Sequence, residues 1–198
     1  MRFLLFIICS SLLFFSKLCA QDGPKKSSNN LPLTVSISFH AVSTPFKKIQ
    51  NNFKNVGIRI GTEFQLNGKG NLLQSLQLGY YRNRFTGNGL YLNSEFIYRP
   101  SIRSNTQLDF RVGPGIMSTF NAMPGLKQGK DGQWFSERSS KTLLQLSGSA
   151  GIGHDYTPAG ALQISPTIQY EVGALLGYAP DFPVLPFSFI HMGSKFKF

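Results

Sequence analysis

Val56-Gly57-Ile58-Arg59-Ile60-Gly61-Thr62-Glu63-Phe64-Gln65-Leu66 decides the fold. Val56, Ile58, Ile60, Phe64 and Leu66 alternate with Gly57, Arg59, Gly61, Glu63 and Gln65. A period of two is the signature of a strand with one apolar and one polar face. The stretch is long for a strand, since ordinary strands run about 5–6 residues and a tilted strand needs about 9–11 to cross a bilayer. Its polar face also carries charges of both signs near the middle, which is odd for a surface that merely meets water.

The same rhythm recurs in both directions. Upstream, Val35, Ile37, Phe39 and Ala41 alternate with Thr34, Ser36, Ser38 and His40. Downstream lie segments around Leu72–Tyr80, Leu90–Tyr98, Leu108–Ile116, Leu144–Ile152, Leu162–Val172 and Pro186–Phe198, which makes eight. The connections differ in length. Asn67–Asn71, Pro100–Thr106 and Tyr156–Gly160 are tight and rich in turn residues, whereas Ser43–Lys54, Ser118–Lys141 and Gly173–Leu185 are longer; Arg82–Gly89 falls between. Short turns at one end and long loops at the other fit a barrel that crosses a membrane.

A soluble sandwich also alternates apolar and polar residues, so the choice rests on the polar face. That face holds Arg59, Glu63, Glu95, Asp109, Arg111, Glu171 and Lys195 among Gly, Ser, Thr and Gln. In an eight-stranded barrel it points into a lumen only wide enough to be filled by side chains, where acids and bases must pair. The sequence therefore predicts an all-β chain: an eight-stranded antiparallel transmembrane β-barrel with up-and-down meander topology.

Composition agrees. Of 198 residues, 41% are apolar, 13% aromatic and only 15% charged, against roughly 25% charged in soluble globular proteins. A disordered chain would be charge-rich and aromatic-poor, and a long-helix protein would not spend its residues on Gly, Ser, Asn and Phe. Residues 1–20 read as a secretory signal peptide: Arg2, the apolar runs Phe3–Ile8 and Leu12–Phe15, then Ala20 before a polar turn of composition at Gln21. Residues 21–32 read as a flexible periplasmic leader and 33–198 as the barrel domain. Cleavage after Ala20 removes Arg2 and Lys17, lowering the formal charge from +11 to +9. It also removes Cys9 and Cys19, so the mature chain has no thiol for disulfide, metal or nucleophile. His40, His154 and His191 share no metal-ligand spacing. No cofactor and no metal are expected. Gly148–Gly153 lacks the following helix that a nucleotide loop requires, and its glycines suit close packing or strand bending.

With the signal peptide, the eight segments, the terminal Phe198 and the in-phase Phe196 in view, the chain resembles the small eight-stranded outer-membrane barrels of the OmpA and OmpX kind. The resemblance implies that Pro186–Phe198, with Phe196 and Phe198, is the assembly signal read by the barrel-assembly machinery. Gln21 after the cleavage site is similar to exported proteins of Bacteroidetes-type bacteria. Unlike OmpA, the chain is not expected to have a peptidoglycan-binding domain after the barrel.

In that setting the long loops face outward. They carry Lys47, Lys48 and Lys54, then Arg82 and Arg84, then Lys127, Lys130, Arg138 and Lys141, against only Asp131 and Glu137. Lipid phosphates at this level would attract them, making lipopolysaccharide the expected partner and nucleic acid not one. Other outer-membrane proteins are further candidate partners. No catalytic constellation stands out, and the favoured reading is a non-enzymatic barrel with a structural or docking role, or a small subunit of a surface complex. The alternative is a lipid A-modifying, deacylase-like enzyme using His191 and Ser194. By parity Ser194 faces lipid and His191 faces inward, so that pair requires a bulge at Gly193, a register change hinted at by Phe187 and Phe189. A pore is disfavoured, because a filled eight-stranded lumen leaves no channel.

Overall fold

The computed structural model describes residues 31–42, 49–83, 87–103, 105–120, 125–128, 131–137, 140–156, 162–178 and 183–198. The expected signal peptide, the expected cut after Ala20 and the expected leader up to Asn30 lie outside these residues. Eight long strands carry the alternating segments: β1 (Leu33–Ala41), β2 (Val56–Gln65), β3 (Leu72–Tyr81), β4 (Asn88–Tyr98), β5 (Thr106–Phe120), β6 (Ser140–His154), β7 (Gln163–Leu176) and β8 (Val184–Lys197). Each pairs antiparallel with its neighbour in sequence, from Phe39↔Val56 between β1 and β2 to Tyr170↔Ile190 between β7 and β8. The ring closes where β1 meets β8, with Leu33 opposite Phe196 and Ala41 opposite Ser188. It is a closed, antiparallel up-and-down barrel of eight strands. Closure gives each of the eight long strands a partner on both sides, which is the condition for a sheet to sit in hydrocarbon.

The burial pattern is that of a soluble protein turned inside out. Ile37, Ile58, Leu76, Leu92, Val112, Leu146, Ile168 and Met192, one from each strand, are all substantially exposed. Thr34, Arg59, Gln77, Glu95, Arg111, Gln145, Glu171 and Lys195, again one from each, are buried. Water would not tolerate so continuous an apolar wall. Hydrocarbon requires it. Phe64, Phe96, Tyr98 and Phe110 crowd the short-turn end of the wall, and Tyr80, Phe120 and Tyr178 the long-loop end. Aromatic girdles of this kind sit at the two membrane–water boundaries.

The strands are unequal. Those of the first half run 9 to 11 residues, the span of a bilayer. Those of the second half run 14 or 15. The sequence placed the ends of β5 to β8 earlier, at Ile116, Leu144, Val172 and Pro186. Pairing in fact continues past them, through Ser118↔Thr142 and Leu176↔Val184, because backbone groups above the lipid still gain ladder hydrogen bonds. A two-stranded hairpin, Gly125–Gln128 with Trp134–Glu137, belongs to the third long loop and is not paired with the barrel.

Candidate functional site

The lumen is the place where this chain concentrates its chemistry, and its two halves differ. At the short-turn end, the carboxylate of Glu63 on β2 meets Arg99 at 3.0 Å, Arg111 of β5 at 2.9 Å and Lys195 of β8 at 3.7 Å. Asp109, two residues before Arg111 on the same inward row, accepts from Arg99 at 2.5 and 2.8 Å and from Arg111 at 2.7 Å. Arg111 also reaches Glu95 of β4 at 3.8 Å, where Ser75 donates at 3.3 Å. One layer further in, Arg59 lies 3.6 Å from Glu171 of β7 and donates to Gln169 at 2.8 Å and Ser36 at 3.2 Å. Lys195 donates to Gln107 at 3.0 Å. Four carboxylates and four cations thus share a space that bulk water does not reach. Such charges persist only when paired and hydrogen-bonded.

All seven lumen charges picked out in the sequence, Arg59, Glu63, Glu95, Asp109, Arg111, Glu171 and Lys195, meet in this network. Sequence reasoning missed Arg99. It lies just past β4, where strand parity says nothing about direction. The one available signal was arithmetic: four acids against three bases left a carboxylate short. Burial opposes the charge on Arg99, but hydrogen bonds to Asp109 and the charge of Glu63 more than offset it, so its pKa stands above the usual arginine value.

Above this network the lumen turns apolar. Tyr81, Tyr91, Met117, Leu143, Leu175, Phe187 and Phe189 form one buried cluster. Phe189 is its hub, with its ring 5.2 Å from Tyr91, 5.7 Å from Tyr81 and 5.7 Å from Phe187. His40 packs 4.0 Å from Tyr81 and 4.6 Å from Phe189, and His191 stacks under Phe189 at 5.2 Å. Room for two of the rings is made directly across the ladder. Gly79 is paired with Tyr91 and Gly89 with Tyr81. A Cβ on Gly79 would lie 2.1 Å from the Tyr91 ring, and one on Gly89 2.4 Å from the Tyr81 ring. Aromatic residues laid over cross-strand glycines are a known device for filling a narrow barrel.

The register change expected at Gly193 does not occur. Pairing runs unbroken from Val184 to Lys197 on the β7 side and across Gly193↔Ser36 on the β1 side. Gly193 instead lets β8 approach β1, since a Cβ there would sit 2.1 Å from the Val35 carbonyl oxygen. Phe187 and Phe189 stay in phase with His191 because the inner face itself is apolar at that height. His191 therefore points into the lumen and Ser194 points away from it, so the pair considered for lipid hydrolysis is not brought together. The imidazole Nδ1 is 2.8 Å from the Ser38 hydroxyl and Nε2 is 2.9 Å from Glu171. This is the order of a hydroxyl–imidazole–carboxylate relay, but all three side chains are fully buried and nothing can reach the hydroxyl. Here the relay joins the charged layer to the aromatic one.

Of the basic loop residues, Lys54, Arg82 and Lys141 are exposed at the long-loop end. Lys141 donates to the Tyr178 carbonyl oxygen and lies 5.4 Å from that ring. Lys47, Lys48, Arg84, Lys130 and Arg138 lie outside the described residues, as does the side chain of Lys127. At the other end, Phe198 is exposed and Phe196 partly so, both on the outer face. Among the described residues no cluster of His, Cys, Asp and Glu could hold a metal.

A closed eight-stranded barrel, apolar outside and sealed inside by charge pairs and rings, defines the class: small membrane-spanning barrels with filled lumens. The solved structures it is similar to are small eight-stranded outer-membrane barrels. Ail, the attachment invasion locus protein of Yersinia pestis, matches with a TM-score of 0.50 at 14% identity, over 85% of this chain and 99% of that one. Neisserial surface protein A matches with a TM-score of 0.53 at 12% identity, over 84% of this chain and 95% of that one. At such identities the likeness is one of fold. No protein-family model and no curated protein matches the sequence.

Proposed function

We propose that the protein is a non-enzymatic barrel of the outer membrane, exported through a signal peptide cut after Ala20, whose role is structural or docking. The observation that carries this reading is the pairing of an outer wall that is predominantly apolar on all eight strands with a filled lumen. The wall fits hydrocarbon, and among the described residues the lumen is filled by charge pairs and rings. What remains available for interaction is the outward rim, whose described cations Lys54, Arg82 and Lys141 suit the phosphates of lipopolysaccharide. Other surface proteins would dock on the same rim. Phe196 and Phe198, on the outer face of the closing strand, suit a signal read by the barrel-assembly machinery, and Gln21 suits a Bacteroidetes-type source.

Two measurements test this. The mature protein should fractionate with outer membranes and migrate differently on gels before and after boiling, because a closed barrel resists detergent until heated. Complete extraction by carbonate or high salt would contradict it. Purification from native membranes in mild detergent should recover lipopolysaccharide or a defined set of envelope proteins with the barrel. Recovery of the bare barrel would remove the docking role.

A further inference from the structure

At one place the outer wall is covered. Ala41, Ser188 and Ile190 point outward by alternation, yet their exposures are 3%, 1% and 8%. Against this spot lies the short 3-10 helix Ile49–Lys54, which belongs to the loop between β1 and β2 and folds back along the wall. Asn52 pins it there. Its buried amide donates to the Ser188 carbonyl and hydroxyl oxygens, both at 3.1 Å, and to the Phe39 carbonyl at 3.4 Å. Phe39 belongs to the first strand and Ser188 to the last, so one side chain bridges the seam at which the barrel closes. The Phe53 ring packs 5.1 Å from Phe39. Just beyond the helix, Asn55 ties the chain to β1 by accepting from the His40 amide and donating to the His40 carbonyl, both at 3.0 Å.

These contacts fix the height of the helix. β1 has nine residues, barely the span of a bilayer, and Phe39 is two residues from its outer end. A helix packed on Phe39 therefore sits at the outer edge of the apolar layer rather than in the water above it. Its exposed residues include two large apolar ones beside the polar Gln50: Ile49 is 42% and Phe53 49% exposed, and they continue the bare surface of Ile37, Val56 and Ile58. Lys54 closes the helix and is exposed. An apolar face with a cation at its border is the pattern of an element lying in the membrane interface.

We propose that Ile49–Lys54 is a membrane-interface binding element, with Ile49 and Phe53 among the acyl chains, Lys54 at the lipid phosphates and Asn52 holding the helix to the seam. The inference rests on the membrane reading above and goes beyond it, since it assigns a loop segment to lipid. The test uses the full barrel with Trp134, the chain's only tryptophan, changed to Phe, reconstituted in phosphatidylcholine vesicles whose acyl chains carry bromine either near the headgroup or near the chain end. Phe53→Trp should emit to the blue and be quenched about twofold more by shallow than by deep bromine, as for a face about 5–10 Å into the boundary. Ile49→Trp should behave alike, which guards against failure of one variant to fold. Leu92→Trp, in the middle of the bare wall, reports on the barrel itself and should favour deep bromine. Quenching at position 92 with none at 49 or 53 overturns the inference and leaves the membrane reading standing. Absence of quenching at all three overturns the membrane reading. Adding Asn52→Ala to Phe53→Trp should open the tryptophan to aqueous acrylamide; unchanged protection would overturn the role of Asn52.

Discussion

The half of the lumen around Glu63, Asp109 and Lys195 is filled by charge, whereas the half around Tyr81, Phe187 and Phe189 is filled by rings, although the same eight strands wall both. The two fillings obey different rules. A carboxylate sealed from water depends on a few particular partners, so each member of the charged half is committed by geometry: Arg111 by itself touches Glu63, Asp109 and Glu95. The rings depend on volume and contact, and each touches several others, so the loss of one is shared. The charged half supplies specificity of pairing across β2, β4, β5, β7 and β8. The aromatic half supplies a seal toward the outer rim.

This contrast can be broken experimentally. The largest effect is expected for Arg111→Met, which takes a cation from Glu63, Asp109 and Glu95 at once and removes the ion pair of Glu95. Removal of one partner from a buried ionic network typically costs about 3–5 kcal/mol, and urea unfolding in liposomes should place this variant at or above the top of that range. Phe189→Ala should cost less, about 3 kcal/mol, through the cavity it leaves, with the remaining rings relaxing inward. If the Phe189 variant proves the more damaging, the seal rather than the charge network holds the barrel together. Gly79→Ala sharpens the picture of the aromatic half, because the added methyl must displace the Tyr91 ring. About 1–3 kcal/mol of destabilisation is expected, relieved when Tyr91 is shortened to Leu in the same chain. The smallest effect belongs to Lys141→Met on the outer rim, where an exposed cation is worth about 0–1 kcal/mol. Equal and mild losses for Arg111→Met and Lys141→Met would mean that the lumen charges meet water.

Much of the lower half was legible in the sequence. Period-two alternation assigns Arg59, Glu63, Glu95, Asp109, Arg111 and Glu171 to one face without knowledge of any contact, because a strand turns by half a revolution per residue. The upper half was less legible. There Tyr81, Tyr91, Phe187 and Phe189 share the inner face with polar neighbours, and the rule that inward means polar failed. For β8 it suggested a bulge that pairing does not support. The alternative of an outward His191 beside Ser194 needed that bulge, whereas parity alone places His191 inward, where it lies.

By itself the sequence determined the number of strands, the face each residue takes and the approximate span, because these follow from local periodicity and turn chemistry along one chain. It also required that the inward charges be paired. It did not choose the partners. That Arg99 supplies the missing cation, that Gly79 and Gly89 give way to rings across the ladder, and that Asn52 crosses the closing seam depend on contacts between residues up to 136 positions apart. Such contacts exist only once the eight strands have closed and their register is set. Closure brings the first strand to the last, and nothing local encodes what they will find there.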